Sequence, residues 1–251
     1  MDQEFSNRVA LVTGGSRGIG RACCVRLAQA GASVAINYAK SEKAARETFR
    51  LVEEAGVKAH VVRADVSSSE QVDAMVREIT DTLGPVDLLV NNAGIFDLGT
   101  HEETTPDLWD RTMAVNLTGP YLVTWAVKDG MIKRGFGRIV NVASIAALRA
   151  RPWSIAYAVS KAGLVSLTKS LAQSIAKNNV RVNAVAPGLV ETEILDGVEE
   201  EALTRLVDDT PMPRVGQPHE IAQVVHFLLS EQSSFMTGQT VVASGGRVLL
   251  P

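Results

Sequence analysis

Tyr157 and Lys161 stand four residues apart in a stretch, 154–177, where Leu164, Leu167, Leu171 and Ile175 recur at helical spacing. Ser154, two residues after Pro152, is an N-cap candidate for that helix. Residues four apart share a helix face, so phenol and ammonium can meet. A nearby cation favours phenolate. It is expected to bring the Tyr157 pKa down from about 10 toward a range useful for proton transfer at neutral pH. A core ring beside a solvated lysine would give the same spacing. The pair acquires meaning only from the elements around it.

Those elements alternate. Short apolar runs at 8–13, 33–37, 59–63, 86–90, 138–142 and 180–185 read as strands, and a last one lies at 240–243. Helical patterns follow at 19–30, 41–55, 67–83, 106–134, 154–177 and from Pro218. Ser67 with Glu70 reads as a capping box, and the pattern 106–134 should bend near Gly119-Pro120. The stretch 189–213 is irregular and acidic, with Glu199, Glu200 and Glu201 as a solvated helix start. It is expected to act as a lid. The strands are continuously apolar, as in a parallel sheet buried on both faces. The pattern predicts an α/β fold in one domain, 1–251, with helices on each side of the sheet.

Composition narrows the classes. The chain has 251 residues, 46% hydrophobic and 21% charged, with net charge −3 and no block of basic residues, so neither nucleic acid nor an anionic membrane is expected as a partner. No apolar run reaches the length of a membrane span. Cys23 and Cys24 are adjacent and cannot staple distant segments, which points to a reduced, cytoplasmic setting. The four histidines and two cysteines have no metal-ligand spacing, and no metal is expected.

The turn TGGSRGIG, 13–20, lies between the first strand and the first helix. Gly14, Gly18 and Gly20 let the backbone approach a pyrophosphate, and the following helix N-terminus offers N–H groups to it; Ser16, Arg17 and Ile19 complete the turn. The second strand ends in Asn37 with no acidic residue to take a ribose 2′-hydroxyl. Arg17, Lys40 and Ser41 instead suit a 2′-phosphate, which favours NADP(H) over NAD(H). Asp65-Val66, after the third strand, would hold the adenine.

TGGSRGIG, Asp65, NNAG at 91–94, Asn116, Ser144, Tyr157 with Lys161, and Pro187-Gly188 together resemble the short-chain dehydrogenase/reductase family over essentially the whole chain. YAVSKAG, VRVNAVAPGLVET and PMPRVGQPHEIA look most like its 3-oxoacyl-carrier-protein reductases. The resemblance implies a Rossmann-type doubly wound sheet of seven strands in the order 3-2-1-4-5-6-7, a homotetramer, and hydride transfer between a nicotinamide and a carbonyl or secondary alcohol. It implies Tyr157 as the proton donor or acceptor and Ser144 as the partner of the substrate oxygen. Lys161 would lower the Tyr157 pKa and bind the nicotinamide ribose, and Asn116 would hold a water leading to Lys161. Asn92, Ala93 and Gly94 would run beside the adenine ribose; Val190 and Thr192 would reach the carboxamide and phosphates.

Three features depart from that pattern. Asp129 and Gln173 stand where carrier-protein reductases commonly have arginines for an acidic carrier protein, which argues against that partner, although Lys128, Lys133 and Lys177 lie nearby. A sugar, polyol or other small ketone is the alternative substrate class. Ser144 and Tyr157 are separated by a loop bearing Arg149, Arg151 and Trp153, where an arginine can meet an anionic or hydroxylated substrate. Ser244 replaces an acidic residue before Gly245-Gly246, and the apolar tail after it is expected to pack on a neighbouring subunit.

Overall fold

Val9 and Leu11 point to one side of the central strand β1 (Val9–Val12), Ala10 and Val12 to the other, and each pair enters a different apolar core. The computed structural model of the protein describes residues 3–192 and 199–249. Six further strands flank β1: β2 (Ser33–Tyr38), β3 (Ala59–Arg63), β4 (Leu88–Asn91), β5 (Gly137–Val142), β6 (Val180–Pro187) and β7 (Thr240–Ala243). All pair in parallel, in the order β3-β2-β1-β4-β5-β6-β7, as the sequence implied.

The helices sort by face. On the Val12 side, α1 (Gly18–Gln29), α2 (Glu42–Glu53) and α8 (Pro218–Leu229) bury Cys23, Leu27, Val52, Val225 and Leu228. On the Leu11 side, α3 (Ser69–Thr82), α5 (Gly119–Arg134) and α6 (Ile155–Ile175) bury Met75, Ile79, Val123, Met131, Leu171 and Ile175. Because β1 lies between β2 and β4, the connections leave toward opposite faces there and open a crevice at the carboxyl ends of the strands.

Four details differ from the sequence reading. The N-cap of α3 is Ser68, which accepts from Gln71 N at 3.4 Å, because Ser67 is turned back onto Asp65. The bend expected near Gly119-Pro120 is a π-helical turn at Ala114–Thr118, between α4 (Pro106–Met113) and α5, with Asn116 inside it. Ser154 holds the N-cap position of α6 but its side chain makes no capping bond. The stretch expected to be irregular contains a helix, α7 (Glu200–Asp208), with Glu200 and Glu201 in its first turn as anticipated; positions 193–198 of the expected lid lie outside the described residues.

Candidate active site

The glycine turn closes onto the end of β4 through one threonine. Thr13 Oγ1 accepts from the backbone N–H groups of both Asn92 and Ala93 at 3.0 Å, and Asn92 Nδ2 donates to the carbonyls of Thr13 and Gly14 at 3.0 Å. Gly14 has φ +61°, and a Cβ there would lie 2.9 Å from Ala93 Cα; at Gly20 a Cβ would strike the Gly14 carbonyl oxygen. Glycine is therefore required at both positions.

Asn37 is buried and shapes this turn from beneath. Its Oδ1 accepts from Gly14 N at 3.2 Å and its Nδ2 donates to the Ala64 carbonyl at 3.1 Å. Ser16 is held through its carbonyl, which accepts from Arg21 at 2.8 Å and from Thr48 Oγ1 at 3.0 Å. Arg17, in the turn, and Lys40, two residues after β2, are exposed, whereas Ser41 caps α2 by accepting from Ala44 N at 3.3 Å. Ile19 packs against the α1 core. Asp65 Oδ1 accepts from Ser67 N and Oγ at 2.9 and 2.7 Å, and Val66 is buried against Gly119.

The far wall comes from β6. Gly188, after Pro187, packs so closely on Ser244 that a Cβ would lie 2.7 Å from Ser244 Cα. Val190 is buried and bridges to Gly216, and Thr192 reaches the mouth of the glycine turn, its Cγ2 3.1 Å from where a Gly18 Cβ would be. No acidic residue occupies the first turn of α1, and the side chain of its N-cap residue, Arg17, makes no capping bond. The glycine cradle and this helix end therefore suit the diphosphate of a dinucleotide.

The reactive side chains gather at the ends of β4 and β5. Asn116 is fully buried; its Oδ1 accepts from Ile95 N at 2.8 Å, and its Nδ2 donates to Ile95 O at 2.9 Å and Ser160 Oγ at 3.2 Å. Ser160 Oγ in turn donates to the Tyr157 carbonyl at 2.7 Å, so Asn116 ties the chain after NNAG to the first turns of α6. A Cβ on Gly94 would lie 3.2 Å from Asn116 Oδ1 and 3.6 Å from Lys161 Nζ, which brings NNAG, Asn116 and Lys161 into one cluster. The Tyr157 ring packs edge-on against Phe96, with centroids 5.0 Å apart.

Lys161 is buried and donates from Nζ to the Val142 carbonyl at 2.8 Å; burial lowers its pKa to about 8. The Tyr157 pKa is raised, which corrects the expectation from spacing. Burial is the largest cause, although the residue as a whole is only partly buried. Ser144 faces Tyr157 closely enough to favour the phenolate, and the Arg151 charge acts in the same direction. The Lys161 ammonium is bonded to Val142 and lies 5.8 Å from the centroid of the Tyr157 ring. Ser144 sits at the end of β5 in extended conformation and accepts from Ala146 N at 3.1 Å.

Several residues shape this site without having been singled out in the sequence: Thr13, Arg21, Thr48, Ser160, Phe96 and a buried amide relay. In that relay Asn91 Nδ2 donates to Asn141 Oδ1 at 2.9 Å and to Thr124 Oγ1 at 3.0 Å, and Asn141 Nδ2 donates to Thr168 Oγ1 at 2.8 Å. Asparagines inside apolar strand runs were the available signal, since a buried amide must find partners. A cavity of about 580 Å³ lies over α1 and α8, beside the mouth of the glycine turn, lined by Gly18, Arg21, Thr192, Gln217 and His219. It contains none of Ser144, Tyr157 and Lys161, so it is not where the chemistry is placed.

The sequence profile of the family described as enoyl-(acyl carrier protein) reductase matches residues 14–247. An acetoacetyl-CoA reductase of Rhizobium meliloti (strain 1021) is 44% identical over 243 residues, covering 96% of this chain and 98% of the relative. A 3-oxoacyl-[acyl-carrier-protein] reductase of Aquifex aeolicus (strain VF5) is 39% identical over 246 residues, covering 98% and 99%. The crystal structure of a 3-oxoacyl-[acyl-carrier protein] reductase from Brucella melitensis ATCC 23457 superposes with a TM-score of 0.93 at 36% identity, covering 99% of this chain and 94% of that one. The sheet order, the glycine turn and the cluster around Tyr157 therefore belong to a recognised kind of oxidoreductase: the chain is a member of the short-chain dehydrogenase/reductase family, enzymes that use nicotinamide cofactors and act on carbonyl and CH–OH groups.

Proposed function

We propose that the chain is an NADP(H)-dependent enzyme that interconverts a ketone and a secondary alcohol, with Ser144, Tyr157, Lys161 and Asn116 as its working residues. The observation that carries this reading is the gathering of Tyr157, Lys161 and Asn116 with Ser144 at the ends of β4 and β5, the Lys161 Nζ bonded to the Val142 carbonyl and 5.8 Å from the Tyr157 ring centroid. Hydride arrival at a carbonyl carbon builds negative charge on oxygen, and that charge needs donors already in place. The nicotinamide, when bound, supplies the hydride.

Ser144 donates a hydrogen bond to the substrate oxygen and sets its position. Tyr157 gives its proton to that oxygen. Lys161, anchored on Val142, keeps a positive charge near the phenolate left behind. Asn116 is a positioning residue: its amide is spent on Ile95 and Ser160, and it fixes the distance between NNAG and α6. In the alcohol-oxidising direction each proton step runs backwards.

Gly14, Gly18 and Gly20 would take the diphosphate. Asn92, Ala93 and Gly94 would line the adenosine side, and Val190 and Thr192 the nicotinamide side. Exposed Arg17 and Lys40, with no carboxylate at the end of β2, support a 2′-phosphate and hence NADP(H). Comparing kcat/KM for NADPH and NADH tests this; a clear NADH preference would overturn it.

Among substrates, a 3-oxoacyl thioester and a small ketone both fit the family. Asp129 holds Lys128 Nζ at 2.6 Å and is itself largely exposed, so an acidic carrier protein meets a carboxylate there rather than a cation. This favours a substrate not delivered by carrier protein. Exposed Tyr121 and Trp125 on α5, and exposed Phe235 and Leu249, are the apolar surface a homotetramer would cover. Among the described residues no helix is long and apolar enough to cross a membrane.

A further inference from the structure

We propose that Arg149, Arg151 and Arg247 form a recognition site for an anionic group of the substrate, so that the compound handled at Tyr157 is a ketone or alcohol bearing a carboxylate or phosphate. The inference rests on the carbonyl–alcohol reading above and names its substrate class.

Three guanidinium groups from two distant parts of the chain converge here. Arg149 and Arg151 lie on the loop between Ser144 and Tyr157, and the Arg151 carbonyl accepts from Ser154 N at 3.1 Å, which fixes the loop to the start of α6. Arg247 comes from the tail after β7. Its side chain is only 6% exposed and donates to the Leu206 carbonyl of α7 at 2.6 Å. Arg149 repels both Arg151 and Arg247, and Arg247 repels Arg151, so the three charges share one region.

Little in the chain balances them. Among the described residues neither Arg149 nor Arg151 makes a side-chain hydrogen bond or ion pair. The Nε atoms of Arg151 and Arg247 are buried without a partner. Asp209, 3.7 Å from Arg247, is 74% exposed. Arg138 pairs with Glu231 at 2.9 Å and bonds two carbonyls, and Arg181, whose Nε is likewise buried without a partner among the described residues, places its Nη atoms on the carbonyls of Leu228, Ser230 and Ser233; neither Arg149 nor Arg151 has such contacts. Gathering like charges with unused donors costs stability unless an anion completes the set. Carboxylate and phosphate oxygens match the guanidinium fork. Arg149 and Arg151 stand on the loop that joins Ser144 to the first turn of α6 and Tyr157, so the anion and the reacting carbonyl would belong to one ligand. Exposed Trp153 on the same loop offers an apolar surface to the carbon chain between them.

The test compares matched neutral and anionic substrates. Initial rates of NADPH oxidation are measured with acetoacetate, 4-oxopentanoate and 5-oxohexanoate against their methyl esters, and with dihydroxyacetone phosphate against dihydroxyacetone. The parent protein is expected to favour the anionic member of at least one pair by about tenfold or more in kcat/KM, the size of one charge-assisted hydrogen bond. The keto-acid pairs and the phosphate pair tell the two oxyanions apart. Arg151→Gln, Arg149→Gln and Arg247→Gln should each lower that anionic-to-neutral ratio by about fivefold or more, and Arg151→Lys should recover part of it. Ratios near one in the parent, with neutral turnover abolished by Tyr157→Phe, would overturn the anion site and leave the carbonyl reading standing. A parent preference that survives all three glutamine variants would overturn the site too. No nicotinamide-linked turnover of any pair would overturn both readings.

Discussion

The Lys161 ammonium donates to the Val142 carbonyl at 2.8 Å, and this one bond couples the first turns of α6 to the end of β5. Ser144 follows two residues after Val142, and Tyr157 precedes Lys161 by one helical turn. The strand end and the helix therefore cannot shift independently without moving proton donor and oxygen binder apart.

Burial lowers the Lys161 pKa to about 8, so its ammonium is present below that pH and lost above it. Carbonyl reduction should accordingly fall as pH rises through about 8, while Tyr157, with its pKa raised, remains a protonated donor. Alcohol oxidation, which needs the phenol to accept a proton, should rise with pH. The kcat/KM profile of Lys161→Met should lack the decline near pH 8. A parent profile that is flat between pH 7 and 10 would contradict this role.

The same residue governs stability. Below about pH 8, Lys161 is charged in both native and unfolded chains, and the full cost of burying it is present. Between about 8 and the ordinary lysine value of 10.5 the unfolded chain holds a proton that the native chain has lost, so native stability rises with pH. The shift corresponds to about 3 kcal/mol. Denaturant unfolding across this range should show Lys161→Met gaining less with pH than the parent. Parallel curves would contradict it.

Asn116→Ala should strand the Ile95 N–H and carbonyl and release Ser160, all of them part-buried or buried. The expected cost is about 1–3 kcal/mol in unfolding free energy, with a larger loss in kcat than in cofactor affinity. A variant of unchanged stability would show that the amide is not holding the chain after NNAG.

Gly20→Ala would place a methyl group against the Gly14 carbonyl and 2.5 Å from Asn92 Nδ2. Both are backbone or amide groups tied into the turn, so the cradle must open. NADPH binding, read by fluorescence titration, should weaken about tenfold or more, alongside destabilisation of about 1–3 kcal/mol. Unaltered affinity would mean that the diphosphate does not rest on this turn.

Much of the fold was legible because β1, β4, β5 and β6 are continuous apolar runs separated by helical patterns, and buried parallel strands leave that signature. Tyr157, Ser144 and Asn116 were legible because NNAG, SKAG and the glycine turn fall in a recognisable order. What escaped lies in contacts between distant segments. Thr13 gives no hint in sequence that its hydroxyl gathers two N–H groups from the end of β4. Arg247, in the tail, shows nothing in sequence of its bond to the Leu206 carbonyl. Ser67 and Ser68 are both plausible caps, and only the bond from Ser67 to Asp65 decides between them. The Tyr157 pKa was misjudged because spacing alone fixes neither burial nor the direction of the ammonium.

The central claim is that Tyr157 is the proton donor of a carbonyl–alcohol exchange. The most direct test is NADPH oxidation by the parent and Tyr157→Phe against acetoacetyl thioesters, small diketones and keto sugars, at matched cofactor occupancy. Removal of the hydroxyl should lower kcat by about a hundredfold or more while NADPH affinity stays within about twofold, since the ring and its Phe96 contact remain. Turnover by Tyr157→Phe at the parent rate would contradict the account.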